Sequence, residues 1–262
     1  MECNRVPIWL ILLMVLPLSA HGRAIDLQGS AYESTRITDW SYRGEKGPDN
    51  WGSLSPAFTL CEDGRAQSPI DLVPLHQSRL PPLRFHYRTT PLKIRNDGFT
   101  IRMDFTPGSY LHIGARQYQL KELGFRTPSE HTVDGRHADM EIQLLHLDSA
   151  GNTVMLAIPV TAGIRHNAML ERIWEYLPAG KGTGRHYRQV GVNPVFFLPT
   201  MRDYFRYNGS LTDPPCSENV TWFVLQKPVE VPGHLIDRLL RIMGKNSRPV
   251  QKINGRSVLI SQ

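Results

Sequence analysis

From about residue 80 onward, apolar and polar side chains alternate in short runs. Leu83-Arg84-Phe85-His86-Tyr87 is one. Thr100-Ile101-Arg102-Met103-Asp104-Phe105 and Tyr118-Gln119-Leu120-Lys121-Glu122-Leu123 are others. Successive residues of a strand point to opposite faces, so a period of two predicts strands with one buried face. Glu141 to Leu147 and Val154 to Val160 are further strand candidates. Asn96-Asp97-Gly98, Pro107-Gly108 and Ser149-Ala150-Gly151-Asn152 separate the runs with residues that favour turns. The helical period is scarce. Met169, Ile173 and Leu177 fit one amphipathic helix over 167–177, and Pro232 to Met243 a second, stopped by Gly244. Residues 25–60 are polar and turn-rich, with Trp40, Tyr42 and Trp51 as isolated large anchors. The pattern predicts a mainly β (α+β) domain: a central sheet with a few short peripheral helices.

Composition changes this picture little. With 262 residues, 40% hydrophobic and 21% charged, the chain has enough apolar material for one large domain. There is no internal repeat or low-complexity linker. The net charge of +6 gives a solvated basic surface or a weak attraction to polyanions. Lys and Arg are scattered, and no basic run is interleaved with aromatics, which excludes a nucleic-acid partner.

The N-terminus does change the picture. Arg5 precedes an apolar run from Ile8 to Leu16, followed by Pro17 and small residues. This is the pattern of a signal peptide over residues 1–24, with cleavage after Ala20, Gly22 or Ala24, and an uncleaved anchor is the alternative. The single domain then spans 25–262, secreted or periplasmic, with no second hydrophobic segment of spanning length. Cys3 leaves with the signal. Cys61 and Cys216 remain, either as two buried thiols or as the disulfide that an oxidising compartment favours.

Five separated segments then occur in order. They are Trp40-Ser41-Tyr42 with Trp51-Gly52; Gln67-Ser68-Pro69-Ile70-Asp71; and Ser129-Glu130-His131-Thr132-Val133-Asp134-Gly135. Tyr207-Asn208-Gly209-Ser210-Leu211-Thr212 follows, running on to Pro214-Pro215-Cys216-Ser217-Glu218. The last is Arg248-Pro249-Val250-Gln251 before Asn254-Gly255-Arg256. In these segments the chain resembles the α-class carbonic anhydrases, bacterial-type. The resemblance implies a large twisted, mostly antiparallel sheet and a bridge between Cys61 and Cys216.

The resemblance also implies a zinc ion held by three histidines, with water in the fourth position as the source of hydroxide. Two of these histidines stand two residues apart on one strand, directly before Thr-Pro-Ser-Glu-His, and the third lies seventeen residues further on. Here Gly124-Phe125-Arg126 precedes Thr127-Pro128-Ser129-Glu130-His131, and Gln143 stands within Met140-Glu141-Ile142-Gln143. The ligand positions are therefore Gly124, Arg126 and Gln143. Glycine has no donor, arginine is a permanent cation, and glutamine offers a neutral oxygen to a metal that prefers nitrogen and sulfur. No metal site and no cofactor are expected. The position of the family's proton-shuttle histidine is Phe99. Such a chain resembles a catalytically inactive relative.

Other pocket positions match. Thr212 corresponds to the hydroxyl that orients zinc-bound hydroxide, Glu130 to its carboxylate partner, and Glu141 to the acid supporting the third histidine. Leu145, Leu211 and Trp222 match apolar wall positions. Asp213 departs from a common threonine, and Glu122 from a common glutamine. Glu122, Gly124 and Arg126 should share one strand face, opposite Glu141 and Gln143. The expectation is an Arg126 guanidinium near the old metal position, held by Glu141 or Glu122 and by Gln143; drift of an idle pocket is the alternative. A small anion could then be bound by Arg126 and Thr212, or the partner could be a protein. His131 and His146 match structural positions, while His86, His112, His137, His166 and His186 have no metal-like spacing. Asn208 and Asn219 head glycosylation sequons. Three functional readings stand side by side. They are a non-catalytic binding module, a zinc carbonic anhydrase with an improvised ligand set such as His112, His131 or His146, and a weak esterase through Thr212, Glu130 and Arg126.

Overall fold

The computed structural model describes Met1, residues 40–73 and residues 76–261. The chain divides into two units, Met1–Thr38 and Asp39–Gln262, and the description below concerns the second. The signal-peptide expectation lies outside the described residues.

Among the described residues, fifteen strands follow in chain order. They are β1 (His76–Gln77), β2 (Leu83–His86), β3 (Thr90–Asn96), β4 (Ile101–Asp104), β5 (Tyr110–Ile113), β6 (Arg116–Arg126), β7 (Thr132–Val133) and β8 (Arg136–His137). Then come β9 (Met140–Leu147), β10 (Thr153–Gly163), β11 (Gly184–Val192), β12 (Tyr204–Ser210), β13 (Glu218–Leu225), β14 (Val229–Pro232) and β15 (Leu259–Ile260). The two longer helices are α1 (Ala168–Trp174) and α2 (Gly233–Met243). Asn167 caps α1 by accepting from the Leu170 N–H, and Gly244, at φ 72°, ends α2 where a β-carbon would be strained.

Thirteen strands form one sheet in the order β1-β15-β12-β13-β10-β9-β6-β4-β3-β11, with β14 on β10 and β5 joining β2 to β6. The pairs β1/β15, β10/β13 and β10/β14 are parallel and the others antiparallel. This is the large, mostly antiparallel sheet with short peripheral helices that the sequence predicts. The strand runs read from alternation lie in β2, β4, β6, β9 and β10, and the two helices stand where their periodicity put them.

Both faces of the sheet are covered. On one, Leu92, Ile94, Met103, Leu123, Phe125, Ile142, Leu144, Leu156 and Ile158 pack with Ile173 and Trp174 of α1 and Leu235 and Leu239 of α2. The Trp174 indole donates to the Leu235 carbonyl at 2.7 Å and ties the helices together. On the other face, Ile70, Leu145, Met155, Phe205, Tyr207 and Trp222 form a second cluster. Trp51, Phe58 and the bridged pair Cys61–Cys216 form a third. The disulfide spans 155 residues, for which the chain-entropy argument gives about 5 kcal/mol.

Register places the candidate residues. Arg102 of β4 pairs with Gly124 of β6, Gly124 with Gln143 of β9, and Gln143 with Ala157 of β10. One rung over, Asp104 pairs with Glu122, Glu122 with Leu145, Leu145 with Met155 and Met155 with Trp222. Arg126 faces Glu141. The expected shared faces of Glu122, Gly124 and Arg126, and of Glu141 and Gln143, follow directly from this pairing.

Candidate functional site

The floor of the site is the C-terminal half of β6 beside β9. Arg126 lies 4% exposed, with every guanidinium nitrogen engaged. Nε donates to Gln143 Oε1 at 3.2 Å and stands 3.3 Å from Glu130 Oε2. Nη1 donates to the Tyr42 hydroxyl at 2.8 Å. Nη2 donates to both oxygens of Asp213 at 2.9 Å and, more weakly, to Thr212 Oγ1 at 3.4 Å. Tyr42 in turn donates to Asp213 Oδ1 at 2.6 Å.

The expected guanidinium clamp is therefore present, but two of its partners differ from the sequence reading. Glu141 and Glu122 do not hold Arg126; Asp213 and Glu130 do. Glu141 sits one layer behind, where its carboxylate accepts from the Gln143 amide at 2.8 Å and from the His131 backbone N–H at 3.1 Å. Glu122 is drawn the other way, to Arg95 and Arg102. The reason is competition: Arg102 on β4 and Arg95 on β3 take the Glu122 carboxylate, and Asp213, 87 residues away in sequence, takes the Arg126 guanidinium. The Asp213 signal was visible as a departure from threonine, whereas nothing local marked Arg102.

Arg102 extends the network outward. Its guanidinium bonds Asp97, Glu122 and, at 2.9 Å, Asp213 Oδ2. Arg95 bonds Glu122 and Asp104, and Lys93 reaches Asp104 at 3.0 Å. Cations and carboxylates thus alternate from the solvent edge at Lys93 to the buried Arg126. The carboxyls respond to this field. Burial acts to raise Asp213, but Arg126 and then Arg102 outweigh it and hold it at about 2. Burial likewise opposes ionisation of Asp97, and Arg102 overcomes it. Glu130 goes the other way: burial lifts it above the usual carboxylate range, Arg126 opposes, and Asp213 and Glu141 add to the rise.

Behind the floor lies a second set of fully buried groups. Gln143 Nε2 donates to Glu130 at 2.7 Å, and Thr212 donates its hydroxyl to Glu130. Glu130 also accepts the Arg248 backbone N–H at 3.0 Å. Glu141 meets His131 Nδ1 at 3.1 Å, and His131 Nε2 meets the Tyr207 hydroxyl at 2.7 Å, which bonds Ser68. Burial acts to raise the Glu141 carboxyl, and His131 outweighs it, so it stays ionised. The Arg248 guanidinium donates to Gln67, Ser68 and Cys61. The separated sequence segments are thereby one hydrogen-bonded unit.

A family model for eukaryotic-type carbonic anhydrase matches residues 46–262. The chain belongs to this family. A carbonic anhydrase of Nostoc sp. is 36% identical over 253 residues, covering 95% of this chain and 96% of its own. Among solved structures, the α-carbonic anhydrase of Thermovibrio ammonificans, in complex with the inhibitor sulfanilamide, is 38% identical. It superposes with a TM-score of 0.81 over 84% of this chain and 98% of its own. The Photobacterium profundum α-carbonic anhydrase is 35% identical, with a TM-score of 0.79 over 84% and 99%.

Around this carbonic anhydrase floor the remaining expected residues fall into place. Leu145 and Trp222 belong to the second apolar cluster, and Leu211 packs against it. Phe99 stacks on Trp40 at 3.8 Å between ring centroids, with the Lys181 ammonium 5.4 Å from the Phe99 ring. His146 is buried against Tyr87 and Leu144, and burial pulls its pKa down to about 3, so it is a neutral core residue. His86, His112, His137, His166 and His186 are partly or well exposed. Among the described residues, no group of three or more His, Cys, Asp or Glu side chains is placed to hold a metal ion.

Proposed function

We propose that this carbonic anhydrase-fold chain does not hydrate CO₂ and serves as a binding or interaction module outside the cytoplasm. The observation that carries the reading is the engaged Arg126 guanidinium. A catalytic zinc needs three neutral or anionic donors around an open position. Gly124 supplies none. Arg126 places a cation on the second position, bonded to Gln143, Tyr42, Thr212 and Asp213. The one oxygen of Gln143 is already taken by Arg126, and its nitrogen faces Glu130 and Glu141. The residues present do not fit the ion.

Thr212 speaks against the esterase reading too. Its hydroxyl accepts from Arg126, a permanent cation that cannot take a proton from it, and the Glu130 carboxyl is already engaged by the Gln143 amide and the Arg248 backbone N–H. An anion seeking Arg126 has to displace Asp213, so a partner meets the rim before the floor. Location outside the cytoplasm is supported by the Cys61–Cys216 bridge. Among the described residues, no helix is long and apolar enough to cross a membrane.

Stopped-flow CO₂ hydration on the disulfide-intact chain, with zinc added, tests the reading. The expected rate is that of buffer. Hydration above background that sulfanilamide abolishes overturns it.

A further inference from the structure

We propose that Arg102, in addition to the three altered ligand positions, excludes a divalent metal from this floor, and that the missing side chain at Gly124 is what makes room for it. The inference deepens the functional reading above and rests on it. Arg102 stands directly across from Gly124 in the β4–β6 register. Three carboxylates from three parts of the chain hold its guanidinium: Asp97 in the turn before β4, Glu122 on β6 and Asp213 after β12. That leaves the side chain 18% exposed.

Gly124 is not required by the backbone, because its φ lies outside the left-handed region. It is not required by crowding at the first carbon either. A β-carbon there would meet Thr100 Cγ2 at 3.8 Å and Arg102 Nη1 at 4.0 Å, both ordinary contacts. What the glycine accommodates therefore lies beyond Cβ, and it is the Arg102 guanidinium. An imidazole on this carbon extends toward the space that three ion pairs hold for Arg102.

The test compares two variants. One carries Gly124→His, Arg126→His and Gln143→His; the other adds Arg102→Asn. Zinc affinity is read by competition with a chromogenic chelator, with melting curves as a folding control. The expected result is affinity about 10–100-fold tighter with Arg102→Asn, the size of effect that residues supporting a ligand have. Equal affinities overturn the proposal and leave the functional reading standing. One zinc per chain in the unaltered protein, in the same assay, sinks the functional reading instead. If the three-histidine chain does not fold, Gly124→His alone decides. It should lower Tm by about 4 °C or more, and clearly less in the Arg102→Ala background. An equal drop in both backgrounds overturns the proposal.

Discussion

The floor of the site and the layer behind it use the same residue types in opposite ways. Behind the floor, Glu130, Glu141, His131 and Tyr207 are nearly or fully excluded from solvent, and they bond backbone groups and one another. On the floor, Arg126, Arg102, Glu122 and Asp213 are partnered across strands and loops by opposite charges. The back layer has a hydrogen-bonded rationale that does not need a metal. It holds the Ser129–His131 turn, β9 and the Arg248 segment in place. The floor holds charged side chains that chiefly neutralise each other, with Tyr42, Gln143 and Glu130 also bonding Arg126. On the proposed reading, a fold can keep the hydrogen-bonded support of a metal site while its floor carries a self-neutralising set of side chains in place of the ligands.

The largest effect expected from this contrast lies in the back layer. Glu141→Ala strips partners from His131 and Gln143 in a fully buried place. It should lower stability by about 3–5 kcal/mol in urea unfolding with the disulfide intact. A loss under about 1 kcal/mol would break the distinction between the layers. On the floor, Arg126→Met should cost about 3 kcal/mol, because Asp213 and Glu130 lose their shared cation. Here compensation is available: adding Asp213→Thr should recover part of that loss. If the double variant loses the full sum of the two single effects, the floor is not self-neutralising.

How far this was legible in the sequence depends on where the physical reason for each feature lies. β2, β4 and the first half of β6 have one polar and one apolar face, so their alternation is readable. β13 was not, because Val220, Trp222, Phe223, Val224 and Leu225 are buried on both sides of the sheet and the run shows no period. β11 failed for the opposite reason: it is an edge strand whose residues 184–186 and 188–189 are exposed. β3 carries a usable alternation, with Leu92 and Ile94 inward and Lys93 and Arg95 outward, and went unread. In the site, the meeting of Arg126 with Gln143 was legible because the surrounding segments fix their frame. The partners of Arg126 were not. Asp213 is 87 residues from Arg126, and Arg102 is 111 residues from Asp213. Only the folded register brings them together.

The pH dependence sharpens the contrast further. Asp213 has its pKa depressed to about 2, so its contribution is complete above the unfolded value near 4 and is lost as pH falls through about 2. Asp213→Asn should remove up to about 2 kcal/mol of the acid-induced loss in that window. His146 acts elsewhere. It stays neutral in the fold down to about 3, while the unfolded chain takes up its proton near 6.5, so stability also falls between those values. That upper leg should survive in Asp213→Asn. If both legs vanish together, the core and the floor titrate as one unit and the two-layer account is wrong. The smallest effect belongs to the solvent end of the array. Lys93 is 60% exposed where it meets Asp104, and Lys93→Ala should change stability by less than about 0.5 kcal/mol.

The central claim is that a cation already held by protein carboxylates stands where the family places a metal. Its most direct test is elemental analysis of the purified, disulfide-intact chain after dialysis against equimolar zinc. The account predicts zinc far below one ion per chain, and a melting curve that a chelator leaves unchanged. One tightly held zinc per chain, with a melting temperature lowered by the chelator, would contradict it.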